Sequence, residues 1–344
     1  MSEKLIELGE RHIIESLISP YVNGIGDDCA IVRLNDEVDI VMTTDPVPEP
    51  AAMVIGGDTD LYWRGWLLVV INSSDLAAAA AHPLAFLAAL ESPSDLTACE
   101  FSRFMEGISD ACEAEALRFV GGNIREGIRI AGVGTAVGYR SRSRRIGRGG
   151  ARPGDVICIV GPQPQFWRDA FRVMNGDLSV DRSTSPLFRP RSQASVMKSL
   201  AARDLVRAAI DNSDGLVPSV RELAVKSGCS AQIDLDAIDR CATEPASYQG
   251  NDIDPARLWF GWGDWNVVAA IDSSQLEEAV SVAEGRVFPI GSFSCGAPNV
   301  TVHRQGVVLP APRIDSERFS RDSWFRPDVG IRGYVKMMLH AVLP

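Results

Sequence analysis

The sequence predicts two α/β domains, the first built on a mixed sheet. Its 344 residues exceed what one ordinary core holds and suit two. Short apolar runs alternate with amphipathic segments, and some return as hairpins, the pattern of mixed sheets covered by helices. An Arg- and Gly-rich stretch, 140–152, separates two such series. A turn and a buried strand then restart at 151–161, so the boundary is placed near 148, giving halves 1–148 and 149–344.

In chain order, Leu5, Leu8, Ile13, Ile14, Leu17 and Ile18 predict a helix that Pro20 ends. The glycine-punctuated turn Gly24-Ile25-Gly26-Asp27-Asp28 leads into a strand, and 39–45 is a second strand with a polar end. Residues 46–60 read as a loop. Leu67–Ile71 is predicted as a buried strand, Asn72-Ser73-Ser74-Asp75 as a polar turn, and Leu76–Ala81 as a helix stopped by Pro83. Trp63 and Trp66 are expected in the core. Strand 84–90, helix 97–118, strand 118–127 ending in a double-Gly turn, and strand 128–137 complete the first half. Most arginines of 140–152 read as a solvated linker.

The second half is predicted to carry helices at 166–173, 193–207, 217–227 and 275–284. Strands are expected at 156–160, 208–210, 229–235 and 266–271, with an edge strand at 288–291. A polar loop fills 176–192, and Val335–Leu343 is an apolar segment able to dock as a helix.

A formal charge of −11 argues against nucleic acid as a partner. No apolar run reaches the ~18 residues of a membrane span. The seven scattered cysteines lack C-x-x-C spacing, and with no signal-peptide pattern they fit a reducing cytoplasm. A G-x-x-x-x-G-K-[ST] loop is absent, so any nucleotide phosphate must be held otherwise.

Four acidic segments stand out: Asp27/Asp28, Thr43-Thr44-Asp45, Asp75, and Asp211/Asp214. Each has small or hydroxylic neighbours that let a cation approach. Taken singly, Asp75 also reads as a helix N-cap, Asp27/Asp28 as a surface turn and Asp45 as a strand end. Together, carboxylates and hydroxyls without a His/Cys set are hard-cation chemistry, which means Mg²⁺ and phosphates. Trp262 and Trp265 offer flat faces to a substrate, or core packing.

In order, Gly24–Ala30, Thr43–Asp45, Val70–Ala78, Gly121-Gly122, Gly149–Asp155 and Ile210–Leu216 resemble the thiamine-monophosphate kinase family. More broadly they resemble the superfamily of aminoimidazole ribonucleotide synthetase, selenophosphate synthetase and the carbamoyl-dehydrating hydrogenase-maturation protein. The resemblance implies an α/β (α+β) aminoimidazole-ribonucleotide-synthetase-like fold. Its N-terminal halves would pair into a dimeric β-barrel, and its C-terminal half is an α/β sandwich. It implies a homodimer with ATP and several Mg²⁺ ions. Asp28, Thr43, Thr44, Asp45, Asp75, Asp211 and Asp214 match metal ligands, with Asp75, Asp211 and Asp214 the candidate catalytic carboxylates. Gly26, Asp27, Thr44, Gly121, Gly122, Asn123, Arg148 and Ser213 are implied nucleotide contacts.

Several positions depart from the family. Asn123 replaces an Asp ligand. The substrate motif is Gly261-Trp262-Gly263-Asp264-Trp265-Asn266, with Gly263 where the family has an acid. Trp262, Gly263, Asp264, Trp265 and Trp324 are therefore the candidate substrate residues, in a half that looks rebuilt. The implied activity is ATP- and Mg-dependent phosphoryl transfer to a different small molecule. Two alternatives are a ligase-type enzyme that activates an amide or carboxyl oxygen for a nitrogen nucleophile, and a catalytically impaired nucleotide-binding protein.

Overall fold

The computed structural model describes residues 4–22, 26–242, 244–314, 318–319 and 323–344. Gly24 and Ile25 of the first acidic motif lie outside them. The expected first helix is broken. Helices α1 (Leu5–Leu8) and α2 (Glu10–His12) flank Gly9, whose φ of 79° cannot continue a right-handed helix. A π-helical stretch, Ile13–Ile18, and a 3₁₀ turn, Ser19–Tyr21, carry the chain past Pro20.

Strands β1 (Ala30–Arg33) and β2 (Val38–Pro46) follow, and the 46–60 loop holds the short helix α3 (Ala51–Val54). The predicted strand, turn and helix of 67–81 are instead one helix, α4 (Tyr62–Ala78). A run of Leu, Val and Ile cannot by itself distinguish a buried strand from a helix buried on all sides. Here the N–H of Tyr62 donates to Asp60 Oδ1, which starts the helix earlier than the apolar run suggested. Leu68, Val69 and Val70 are wholly inaccessible. Trp63 and Trp66 are buried, as expected.

Strand β3 (His82–Ser92), helix α5 (Ala98–Ala114), β4 (Arg118–Glu126) and β5 (Ala131–Ser141) complete a sheet ordered β1-β2-β5-β3-β4. Thr97 and Glu100 cap α5 reciprocally. Only the β3–β4 pairing is parallel. Gly121-Gly122 is no terminal turn: it lies inside β4, beside a bulge in which Val120 is left unpaired. Arg140 is no solvated linker residue either. It is a buried β5 residue that donates to the carbonyl of Ile146.

Helices α4 and α5 cross at a reciprocal glycine contact. A Cβ on Gly65 would stand 2.1 Å from the Phe104 carbonyl oxygen, and one on Gly107 would stand 2.0 Å from the Tyr62 carbonyl oxygen. Neither obstruction is a side chain that can swing away. Gly107→Ala is therefore expected to force the helices apart and cost about 1–3 kcal/mol, read from the urea midpoint.

The second sheet uses β6 (Val156–Val160), β7 (Ala208–Asp211) and β8 (Ser230–Asp234). After the hairpin β9 (Ala246–Tyr248) and β10 (Asn251–Ile253) come β11 (Val267–Ile271), β12 (Val287–Ser294), β13 (Val300–Arg304) and β14 (Val307–Pro310). Its order is β14-β13-β8-β12-β6-β11-β7, with β13–β8 parallel. The predicted edge strand at 288–291 lies in the interior, between β8 and β6. A bulge between Pro289 and Gly291 accommodates the missing N–H. Helices α6 (Phe166–Met174), α7 (Ala194–Ala201), α8 (Leu216–Ser227), α9 (Leu235–Cys241), α10 (Pro255–Phe260) and α11 (Leu276–Val282) surround this sheet, and α12 (Gly330–His340) is the docked terminal helix.

Helix α4 packs on β2, β5 and α5, and also on α7 and β7 of the second half. The principal apolar core accordingly contains residues of both halves. Among the described residues no helix is long and apolar enough to cross a membrane.

Candidate active site

The polar quartet of α4 is its organising feature, since its members tie the helix to β2, to the end of α5 and to β7. Asn72 Oδ1 accepts the Asp45 N–H at the end of β2, while its Nδ2 donates to the Leu68 carbonyl. Ser73 donates to Glu115, which follows α5. Ser74 donates to Asp211 Oδ2 at the end of β7. Asp75 Oδ2 accepts the Thr43 hydroxyl of β2 at 2.5 Å. All four are buried in mid-helix, so Asp75 is not an N-cap.

The acidic segments meet in a cavity of about 850 Å³ between the halves. Asp27, Asp28, Thr43, Thr44, Asp45, Asp75, Arg148, Asp211, Ser213 and Asp214 all line it. Asp28, Asp75 and Asp211 each present a carboxylate oxygen, and the three oxygens lie within 4.8 Å of one another. Ser213 donates to Asp211 Oδ1. Arg148 donates through Nη2 and Nε to Asp28 Oδ1, and its backbone N–H binds Asp27.

Thr44 is placed differently. It alternates with Thr43 and Asp45 along β2, and its hydroxyl donates to the Gly134 carbonyl across the sheet. Gly26 lies in an adjoining cavity of about 350 Å³ that shares Arg148, Asp211, Ser213 and Asp214. Gly121, Gly122 and Asn123 sit exposed on edge strand β4 and line neither cavity.

The electrostatics follow from burial. Removal from water pushes Asp75 well above the ordinary carboxylate range, and the charges of Asp211, Asp45 and Asp28 push it further. Asp211 rises to about 7, first by burial and then by Asp28. Asp45 rises to about 6, again by burial first, although Arg318 opposes the rise. Asp28 is raised by burial against the pull of Arg148. The Cys29 thiol, beside the same acids, is raised well above its usual value. The half-buried Arg148 at the crowded carboxylates leaves negative charge that a divalent cation would neutralise, and the donors are all hard oxygens.

The cavity also has a large aromatic lining, formed by Trp63, Phe166, Phe188, Trp262, Trp265, Trp324 and Phe325. Trp262 and Trp324 stack at 4.9 Å with 9° between planes, and Trp324 stacks on Phe325. Gly263 does not line the cavity. Its φ is +116°, and a Cβ there would lie 2.5 Å from the Phe166 ring. Asp264 also points away. Buried, it accepts the backbone N–H groups of Gln165 and Phe166 at 2.8 Å each, capping the start of α6, and burial lifts it to about 7.

Sequence reasoning missed Glu10, Glu49, Arg318, Phe319, Phe325 and Arg326, which also line the cavity. Apart from Glu49, four residues past Asp45, they lie far from every acidic motif in the chain, and no local pattern marks them. Glu115 was missed as well. It is buried and accepts from Ser73, Arg191 and the backbone N–H of Ser192.

Two family models match the chain. The AIR synthase related protein N-terminal domain covers residues 26–139, and the corresponding C-terminal domain covers 152–294. The chain is 27% identical over 323 residues to a thiamine-monophosphate kinase of Halobacterium salinarum, spanning 92% of this chain and 99% of that one. It is 28% identical over 225 residues to the thiamine-monophosphate kinase of Salmonella typhimurium, spanning 63% and 66% respectively. Its fold resembles that of AaThiL complexed with AMPPCP and TMP, with a TM-score of 0.75 at 24% identity, covering 92% of this chain and 99% of that one.

Proposed function

Because the chain belongs to the AIR synthase related protein family, matched in both halves, we propose an ATP-dependent phosphoryl-transfer enzyme of the thiamine-monophosphate kinase type. We further propose that its acceptor is a small molecule other than thiamine phosphate. The observation that carries the nucleotide half is the meeting of Asp28, Asp75 and Asp211 within 4.8 Å. Asp28, Asp45, Asp75, Asp211 and Asp214 would hold Mg²⁺ ions, with the Thr43 hydroxyl beside them. Bound there, the ions supply charge neutralisation of the triphosphate.

This chain's own groups do the rest. Arg148 orients Asp28 and presents a cation to phosphate. Ser74 and Ser213 fix the two oxygens of Asp211, so its carboxylate cannot rotate. The adjoining cavity, lined by Gly26, Arg148 and Ser213, suits the rest of the nucleotide. Trp262, Trp265 and Trp324 offer their faces to a planar acceptor.

The rebuilt acceptor half rests on Gly263 and Asp264. An acid at 263 is sterically barred by Phe166, and the neighbouring Asp264 is committed to capping α6. A homodimer is supported by the face of the first sheet opposite α4, which leaves Leu87, Val133 and Tyr139 exposed. Seven unpaired thiols suit a reducing cytoplasm.

The test is ADP release with Mg²⁺ and a panel of aromatic acceptors, thiamine phosphate included. Magnesium-dependent turnover on another acceptor, with none on thiamine phosphate, is expected. Thiamine diphosphate formed at an ordinary kinase rate, about 1–100 s⁻¹, would replace this acceptor assignment with thiamine phosphate itself.

A further inference from the structure

We propose that Cys229 and Cys295 form a reversible, peroxide-sensitive disulfide beneath the segment that joins the two halves. The strand register places the pair. In the antiparallel pairing of β12 with β8, Phe293 faces Ala231 and Ser294 faces Ser230. Cys295 and Cys229 are the next residues of the two strands, one step past that last pair. The last pair, Ser294 and Ser230, is directly opposed, which sets Cβ atoms about 4.5–5.5 Å apart. The two cysteines adjoin that pair, so a local closing movement brings them to the disulfide range of about 3.5–4.5 Å. The chain stays beside β8 past that pair, since a Cβ on Gly296 would lie 3.4 Å from the Ser230 Cβ. The charge of Cys295 reaches Cys229 strongly enough to help raise its thiol, after the larger effect of burial.

The two thiols have complementary situations. Cys295 is exposed, and Cys229 is buried at 3%. A peroxide meets Cys295 first. Its sulfur attacks one peroxide oxygen, becoming the sulfenic acid, and water leaves. The Cys229 sulfur then attacks the Cys295 sulfur. The S–O bond breaks, and the hydroxyl departs with the Cys229 proton as a second water. Two thiols lose two electrons, and one peroxide becomes two waters. A dithiol reductant reverses the step by thiol–disulfide exchange.

The site lies next to the linker. The Cys229 thiol donates weakly to the carbonyls of Ala151 and Ser227, at 3.6 and 3.5 Å. Ser227 Oγ accepts the N–H groups of Gly150 and Ala151, two and three residues beyond Arg148. Oxidation removes the proton that Cys229 offers to Ala151.

The experiment treats the full chain with hydrogen peroxide, alkylates remaining thiols and maps peptides without reduction. A peptide linking 229 to 295, loss of alkylation at both positions, and recovery with dithiothreitol are expected. In Cys295→Ser no linked peptide forms and Cys229 remains a thiol. Exposed Cys99 serves as the internal control for oxidant reaching the protein. Oxidation of Cys99 with both 229 and 295 left as thiols would overturn the proposal, as would Cys295 passing to sulfinic acid without a linked peptide.

Discussion

Asp75→Asn is expected to lower turnover by about 10²- to 10³-fold while leaving the fold intact, because it removes one preorganised charge and almost no volume. Loss of activity alone would not separate a ligand from a residue needed for folding. Stability does, and its sign is opposite. The buried carboxylates have folded-state pKa values raised above the ordinary value, to about 7 for Asp211 and about 6 for Asp45. Such groups hold protons more tightly folded than unfolded. The cluster's contribution to metal-free stability is therefore fully present below the ordinary carboxylate range and is lost as pH rises through about 7. Magnesium bound at the cluster offsets that loss, so the rise in melting temperature on adding Mg²⁺ should be larger at pH 8 than at pH 5. Asp75→Asn deletes one repelling charge. Its metal-free form should melt no lower than the parent at pH 8, yet gain less from Mg²⁺. A parent protein whose melting ignores both pH and Mg²⁺ would rule out the cluster as a cation site.

Gly263→Glu, which puts an acid where the family resemblance implies one, should destabilise the chain by about 2–6 kcal/mol. It combines a left-handed backbone costing about 1–3 kcal/mol with an overpacked contact of about 1–3 kcal/mol. The strain is the φ of +116°, and the contact is the Phe166 ring 2.5 Å from the new Cβ. The Phe166 ring is locked in turn between Trp167 and Trp262. Guanidinium unfolding of the variant measures the cost. A neutral result, with thiamine phosphate now accepted as substrate, would mean that the acceptor end had kept the family's geometry.

The four acidic segments were legible because each is a short local pattern of Asp with small neighbours, and the fold brings all four to one cavity. The secondary structure carrying Asp75 was not legible. Asn72-Ser73-Ser74-Asp75 looks like a cap wherever its partners are unknown, and those partners sit 27 to 137 positions away. The same limit hid Glu115, Arg318 and Glu10, whose significance is wholly tertiary. Interior placement of β12 was obscured by Pro289, which reads as an edge signal until a bulge is seen to absorb it. Asp264 was misjudged because a helix-capping acid and a substrate-binding acid have the same local sequence, and only the direction of the side chain separates them.

Helix α4 also governs how the chain must acquire its structure. Its 17 residues include 16 that are buried, and the surfaces burying them come from β2, β5 and α5 on one side and α7 and β7 on the other. Cut near residue 148, the first half would keep its sheet but leave a flank of α4 bare, with Asn72 and Ser73 still partnered and Ser74 stripped of Asp211. Two sheets thus make a single cooperative folding unit, in which the half synthesised first is sticky until the second arrives.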